Sequence, residues 1–74
     1  LNNDPLNVIL AKLGRYYGVD IDCTDDISTI KIAGKIDLEC GIEAALKRIS
    51  ATGGFSFLKQ EGAYTLKPLE KIVQ

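Results

Sequence analysis

Two glycine-ended helical stripes, each followed by an alternating apolar run, constrain this chain more than any other feature. Leu6, Ile9, Leu10, Leu13 and Tyr17 recur at helical spacing, and Gly18 stops them. A glycine there can take the left-handed conformation that closes a helix. Val19, Ile21 and Cys23 then alternate with Asp20 and Asp22, the period of a strand with one face inward. The pattern returns in the second half. Ile42, Ala45, Leu46 and Ile49 form a stripe, Gly53-Gly54 ends it, and Phe55 and Phe57 alternate after it. Asp4 is placed to cap the first helix, with Pro5 at its first position, where a missing N–H is harmless. Gly14, inside that helix, costs roughly 1 kcal/mol against alanine. Close packing of a neighbouring backbone there would account for it.

Between the repeats, Thr24 to Ser28 is turn-like. Ile30, Ile32, Gly34, Ile36 and Leu38 continue a long alternation, with Lys31, Ala33, Lys35 and Asp37 on the other face. This predicts a second strand, wet on one side. The second helix begins between Glu39 and Gly41, and Glu43 and Lys47 stand at the favourable i,i+4 spacing on its outer side. Lys59 to Gly62 forms a hairpin loop, Ala63 to Lys67 a fourth strand with Tyr64 and Leu66 on one face, and Pro68 halts the ladder. The expected fold is α+β: a two-layer sandwich in α-β-β-α-β-β order, two helices on one face of a small mixed sheet. Residues 1–68 make one domain, and residues 69–74 a loose end.

Size and composition narrow the function. At 74 residues there is room for one small domain. The formal net charge of -1 supplies no long-range attraction to nucleic acid or to a membrane surface. Apolar runs fall far short of the ~18–20 residues of a membrane span. Histidine is absent, which removes the commonest general base and metal ligand. Methionine is absent too, so a domain cut from a longer protein is expected.

The remaining chemistry is thin. Asp20, Asp22, Asp25 and Asp26 suggest calcium, but a loop begun at Asp20 puts Asp25 where glycine is needed and Lys31 where the bidentate glutamate belongs. A solvated strand face is the simpler account. Cys23 and Cys40 cannot make a zinc site alone and are too far apart for a C-x-x-C pair. They are buried small residues, a disulfide or a reactive thiol. If the first two strands form an antiparallel hairpin, the two cysteines lie at opposite ends, beyond the ~7 Å Cα limit for a disulfide. No glycine-rich phosphate loop occurs, and Ser28, Ser50 and Ser56 have no partner base. No metal, cofactor or catalysis is expected. Val8 breaks the pattern of the first helix, on its outer side beside Lys12 and Arg15, where a docking patch could form. An open sheet edge is a second candidate, with Lys31 and Lys35 resembling edge protection.

Taken in order, the motifs resemble the C-terminal domain of FecR-like anti-sigma factors. Asp4-Pro5-Leu6, Leu10, Leu13 and Arg15-Tyr16-Tyr17-Gly18-Val19 are similar to that family's opening helix. Ile32-Ala33-Gly34-Lys35-Ile36 resembles its glycine-centred strand, Ile42-Glu43-Ala44-Ala45-Leu46 its second helix, and Gly54-Phe55-Ser56-Phe57 with Gly62-Ala63-Tyr64-Thr65-Leu66 its closing hairpin. Glu39-Cys40-Gly41 departs from the usual serine or acidic cap. The same pattern recurs in the short N-terminal (STN) domain of secretins and TonB-dependent transducers. The resemblance implies a periplasmic receiver domain without chemistry of its own. It would dock the periplasmic domain of a TonB-dependent outer-membrane transducer, with a cytoplasmic segment that binds an extracytoplasmic-function sigma factor and one membrane span elsewhere in the parent protein. The candidate partner-binding residues, chosen by exposure, are Val8, Lys12 and Arg15 on the first helix and Lys31, Ala33 and Lys35 on the second strand. The alternatives are an STN domain of a transducer or secretin, and a small-ligand sensor with a cleft between sheet and helices.

Overall fold

Pro5 sets where the first helix begins. In the computed structural model, which describes residues 4–33 and 38–69, its backbone is extended (φ -63°, ψ 152°). Asp4–Pro5 is strand β1, and helix α1 follows as Leu6–Tyr17. Pro5 is thus the cap itself, and Asp4 is not. The reason is a partner that local reasoning does not supply. β1 pairs antiparallel with strand β3, Lys31–Ile32, in the register Asp4 to Ile32 and Pro5 to Lys31. The Leu6 N–H, which a cap would otherwise satisfy, donates to Ile30 O at 2.8 Å. Asp4 turns its carboxylate to Lys12 at 3.5 Å instead.

α1 buries the expected stripe, Leu6, Ile9, Leu10 and Leu13, and closes on Gly18 at φ 70°. Strand β2 is Asp20–Cys23. Thr24 to Ser28 is more than a turn: Asp25–Ser28 forms a short helix, α2, which buries Ile27 in the core. Of the predicted long strand from Ile30 to Leu38, the described residues show strand at β3 alone. Leu38–Cys40 is a 3-10 turn, and Gly34 to Asp37, including Lys35, lie outside the described residues. The third helix, α3, is Ile42–Gly53, and burial of Ala45, Leu46 and Ile49 gives it the expected inner face. Its Glu43 carboxylate reaches Lys59 at 3.8 Å and accepts from Tyr64 OH at 3.2 Å, so its partners come from the sheet. Strands β4, Phe55–Gln60, and β5, Ala63–Pro68, form the hairpin. Their two-residue turn needs positive φ at both positions, which Glu61 (53°) and Gly62 (83°) supply.

The α+β class is present, with a mixed sheet. Its strand order is β2-β5-β4, with β2 parallel and β4 antiparallel to β5. The first two predicted strands therefore do not form a hairpin: β2 joins β5, and β3 joins β1. The register sets Ile21 beside Tyr64, and Leu66 between Cys23 and Phe57, so one face of the sheet turns to the helices. Leu6, Leu10, Leu13, Leu46, Ile49 and Leu66 are almost wholly buried where these layers meet. Each of the two long helices touches both sheets, α1 through β1 and β2, and α3 through β3 and β4. The outer face of the three-stranded sheet, with Asp20, Asp22, Leu58, Gln60 and Lys67, is exposed. Leu69 is held to the fold, its N–H donating to Gly54 O at 3.1 Å, and residues 70–74 lie outside the described residues. Among the described residues, no helix is long and apolar enough to cross a membrane.

Candidate functional site

The outer face of α1 carries three of the residues proposed from sequence. Val8 is 38% exposed, and Lys12 and Arg15 follow it at helical spacing. Each is exposed because the opposite side of α1 is spent on Leu6, Ile9, Leu10 and Leu13. The Lys12–Asp4 ion pair leads from this face to β1, with both side chains more than half exposed. Such a pair is screened and adds little stability. It does fix the Lys12 side chain beside the β1–β3 ribbon. That ribbon carries exposed Lys31 and Ala33, with Lys31 registered against Pro5, three residues before Val8. Val8 and Lys12 thus share the outer face of α1, and Lys31 stands on the strand paired with β1, next to where α1 begins. Arg15 stands further along α1, on the rim of a groove beside β2. Lys35 lies outside the described residues.

The sequence raises a cleft between sheet and helices only as an alternative and without residues, and a groove is found between α1 and β2. It holds about 510 Å³ between α1 and β2, floored by Leu10, Ala11, Gly14 and Ile21. A further 370 Å³ continues along Cys23 to Asp25 and Ser28 of α2. Its narrow end is closed by contact of backbones: Val19 N–H donates to Gly14 O at 3.0 Å. The small size of Ala11 and Gly14 is the signal that could have pointed to it.

Among the described residues, no three histidine, cysteine, aspartate or glutamate side chains converge to hold a metal ion. Asp20, Asp22, Asp25 and Asp26 are all exposed, and Asp26 accepts from Thr24 Oγ1. Neither Cys23 nor Cys40 forms a disulfide. Burial pushes the Cys23 thiol pKa up, and the charges of Asp22, Asp25 and Asp26 add to the effect, which suppresses the nucleophilic thiolate. Tyr17, from the inner stripe of α1, donates its hydroxyl to Leu38 O and packs edge-on against exposed Tyr16. Tyr17 is half-buried against the core, as its place in the stripe predicts.

Comparison with known proteins now bears on this fold. Residues 1–66 match the family model described as FecR, C-terminal. The chain belongs to the FecR C-terminal family. The resemblance carried by the Pro-Leu helix, the Tyr-Gly-Val turn and the closing hairpin is thereby borne out. No curated protein matches the chain. Among solved structures, this FecR C-terminal domain resembles a protein assigned as an anti-sigma factor from Parabacteroides distasonis, in crystal structures at 1.65 and 2.50 Å. The TM-score is 0.78 at 23% identity, over 95% of this chain and 34% of that one. It also resembles part of the Salmonella SPI-1 type III secretion injectisome basal body, built from InvG, PrgH and PrgK. That TM-score is 0.79 at 15% identity, over 89% of this chain and 14% of that one. At such identities the likeness is one of fold. The chain spans about a third of the length of the anti-sigma factor that it matches.

Proposed function

We propose that this FecR C-terminal domain is the signal-receiving part of a membrane-anchored anti-sigma factor. In this role it sits in the periplasm, behind a single membrane span, and docks the periplasmic domain of a TonB-dependent transducer. A cytoplasmic segment of the same protein holds the extracytoplasmic-function sigma factor. The single observation that carries the proposal is the family match over residues 1–66. The fold shared with the Parabacteroides protein supports it. So does the outer face of α1, where Val8 and Lys12 are exposed for contact.

The docking surface in this proposal takes Val8 and Lys12 of α1, Lys31 of β3 and Ala33 just after it, with Arg15 further along α1; Lys35, the remaining candidate, lies outside the described residues. An exposed apolar residue with long cations on the same helix suits a partner that brings its own apolar anchor and acidic rim. The test is a titration of the isotope-labelled chain with the periplasmic domain of the transducer encoded beside its gene. Contiguous amide shifts across Val8, Lys12, Lys31 and Ala33 are expected, and Val8→Asp combined with Lys12→Glu is expected to abolish them. An absence of shifts at high partner concentration overturns the proposal.

A further inference from the structure

A different surface is set up to take a strand. In the order β2-β5-β4, β2 is an edge strand. Thr24 N–H donates to Leu66 O at 3.1 Å on the β5 side. By the two-residue repeat of a strand, Asp22 and Asp20 also direct their backbone N–H and C=O groups to β5. Val19, Ile21 and Cys23 direct theirs the opposite way. Val19 uses its N–H on Gly14 O at 3.0 Å, and among the described residues no hydrogen bond reaches the backbone of Ile21 or Cys23 on that edge. Those groups give onto the groove beside α1, where Ala11 and Gly14 leave about 510 Å³ open.

The charge around this edge has one sign along the strand. Asp20 and Asp22 project on the outer face, registered with Ala63 and Thr65 of β5. Asp25 and Asp26 follow in α2, while Arg15 stands across the groove on α1. Among the described residues, neither Asp20 nor Asp22 has an ion-pair partner. Edges of this kind are usually protected by lysine or proline. This one carries aspartates, which discourage pairing with a copy of itself, since two β2 strands would set their carboxylates on one face against each other.

We infer that the β2 edge accepts an extended basic segment of a partner protein as a fourth strand of the sheet. The segment hydrogen-bonds to the N–H and C=O groups of Ile21 and Cys23. Its inward side chains are apolar and enter the groove over Ala11 and Gly14. Its alternate side chains are lysine or arginine and lie beside Asp20 and Asp22. This docking site stands on the backbone pairing and charge of β2 and is separate from the α1 face proposed above.

The test uses the 74-residue chain, isotope-labelled, and a capped Val-Lys-Val-Lys-Val peptide. Two control peptides are a Val-Glu-Val-Glu-Val version and a lysine version N-methylated on the amides that face β2. Shifts centred on the Ile21 and Cys23 amides are expected with the lysine peptide alone. Asp20→Asn with Asp22→Asn, both at exposed positions, is expected to raise Kd about fivefold, the size set by two cross-strand charge pairs. Absence of shifts at millimolar peptide, shifts centred elsewhere, or equal binding of the N-methylated peptide overturns the inference.

Discussion

A side-chain carbon added at Gly14 would stand 2.7 Å from the carbonyl oxygen of Val19. The same two residues are joined in the other direction, by the Val19 N–H donated to Gly14 O at 3.0 Å. Helix α1 therefore meets the start of β2 backbone to backbone, with glycine as the only residue that fits unshifted. Gly14→Ala gains about 1 kcal/mol of helix propensity. It also forces apart two main chains that cannot yield as a side-chain tip would, an overpacking cost of typically 1–3 kcal/mol. The net effect is a loss of stability. Thermal unfolding of the variant should show a lower Tm, by about 4–8 °C for each kcal/mol lost in a domain of this size.

Tyr64 ties the sheet to α3. Its ring is buried in the core, and its hydroxyl donates to Glu43 Oε2 at 3.2 Å. Lys59 lies 5.7 Å from the ring centre and 3.8 Å from the same carboxylate. Tyr64→Phe keeps the packing and deletes one hydrogen bond to a charged acceptor that water can partly replace. A loss of about 1 kcal/mol in urea unfolding is expected. Tyr64→Ala removes the ring from the core and should cost 3–5 kcal/mol, near the whole stability of a small domain. Equal losses for the two variants would assign the stability to the hydroxyl and contradict the packing seen here.

Local features carried the sequence reading furthest. The inner stripes of α1 and α3 and their glycine stops at Gly18 and Gly54 depend on residues within a turn or two of one another, so helical spacing exposes them. The pairing of β2 with β5 does not. Ile21 alternates with Asp22 in the same way whether its neighbour is Tyr64 or a strand ten residues away, because alternation fixes a face and not a partner. Two-residue strands such as Asp4–Pro5 have no period to detect, and α2 is a single turn with one buried residue, Ile27. The candidate surfaces divide on the same line. The exposure of Val8 follows from the phase of α1 alone. The groove exists only because β2 lands at an edge beside Ala11 and Gly14, which the chain's pairing decides.

Ser50 offers a substitution that should stabilise. It lies on the inner face of α3, and among the described residues its buried Oγ has no hydrogen-bond partner. A buried hydroxyl without a partner has lost its water for nothing, at roughly 1–3 kcal/mol by mutational data. Ser50→Ala removes that atom, leaves the Cβ packing in place and raises helix propensity. The expected gain is about 1 kcal/mol, seen as a higher urea midpoint with an unchanged slope. A lower midpoint would mean that the hydroxyl has a partner in solution.

The Cys23 thiol links stability to alkaline pH. Burial on the inner face of β2 raises its pKa first, and the carboxylates of Asp22, Asp25 and Asp26 raise it further. In the unfolded chain the thiol titrates near the ordinary ~8.5. The folded state therefore binds the proton more tightly than the unfolded state. The contribution to stability is full below the unfolded pKa and is lost as pH rises through the folded one. Unfolding free energy should decline above about pH 8.5 with a component that Cys23→Ala removes. Because the thiolate is the reactive form, alkylation of Cys23 by iodoacetamide at pH 8 should be slower in the folded chain than in urea. Mass spectrometry of the labelled peptides separates it from exposed Cys40. Equal rates for Cys23 in the folded and unfolded chain, with an alkaline stability slope that survives Cys23→Ala, would contradict this assignment.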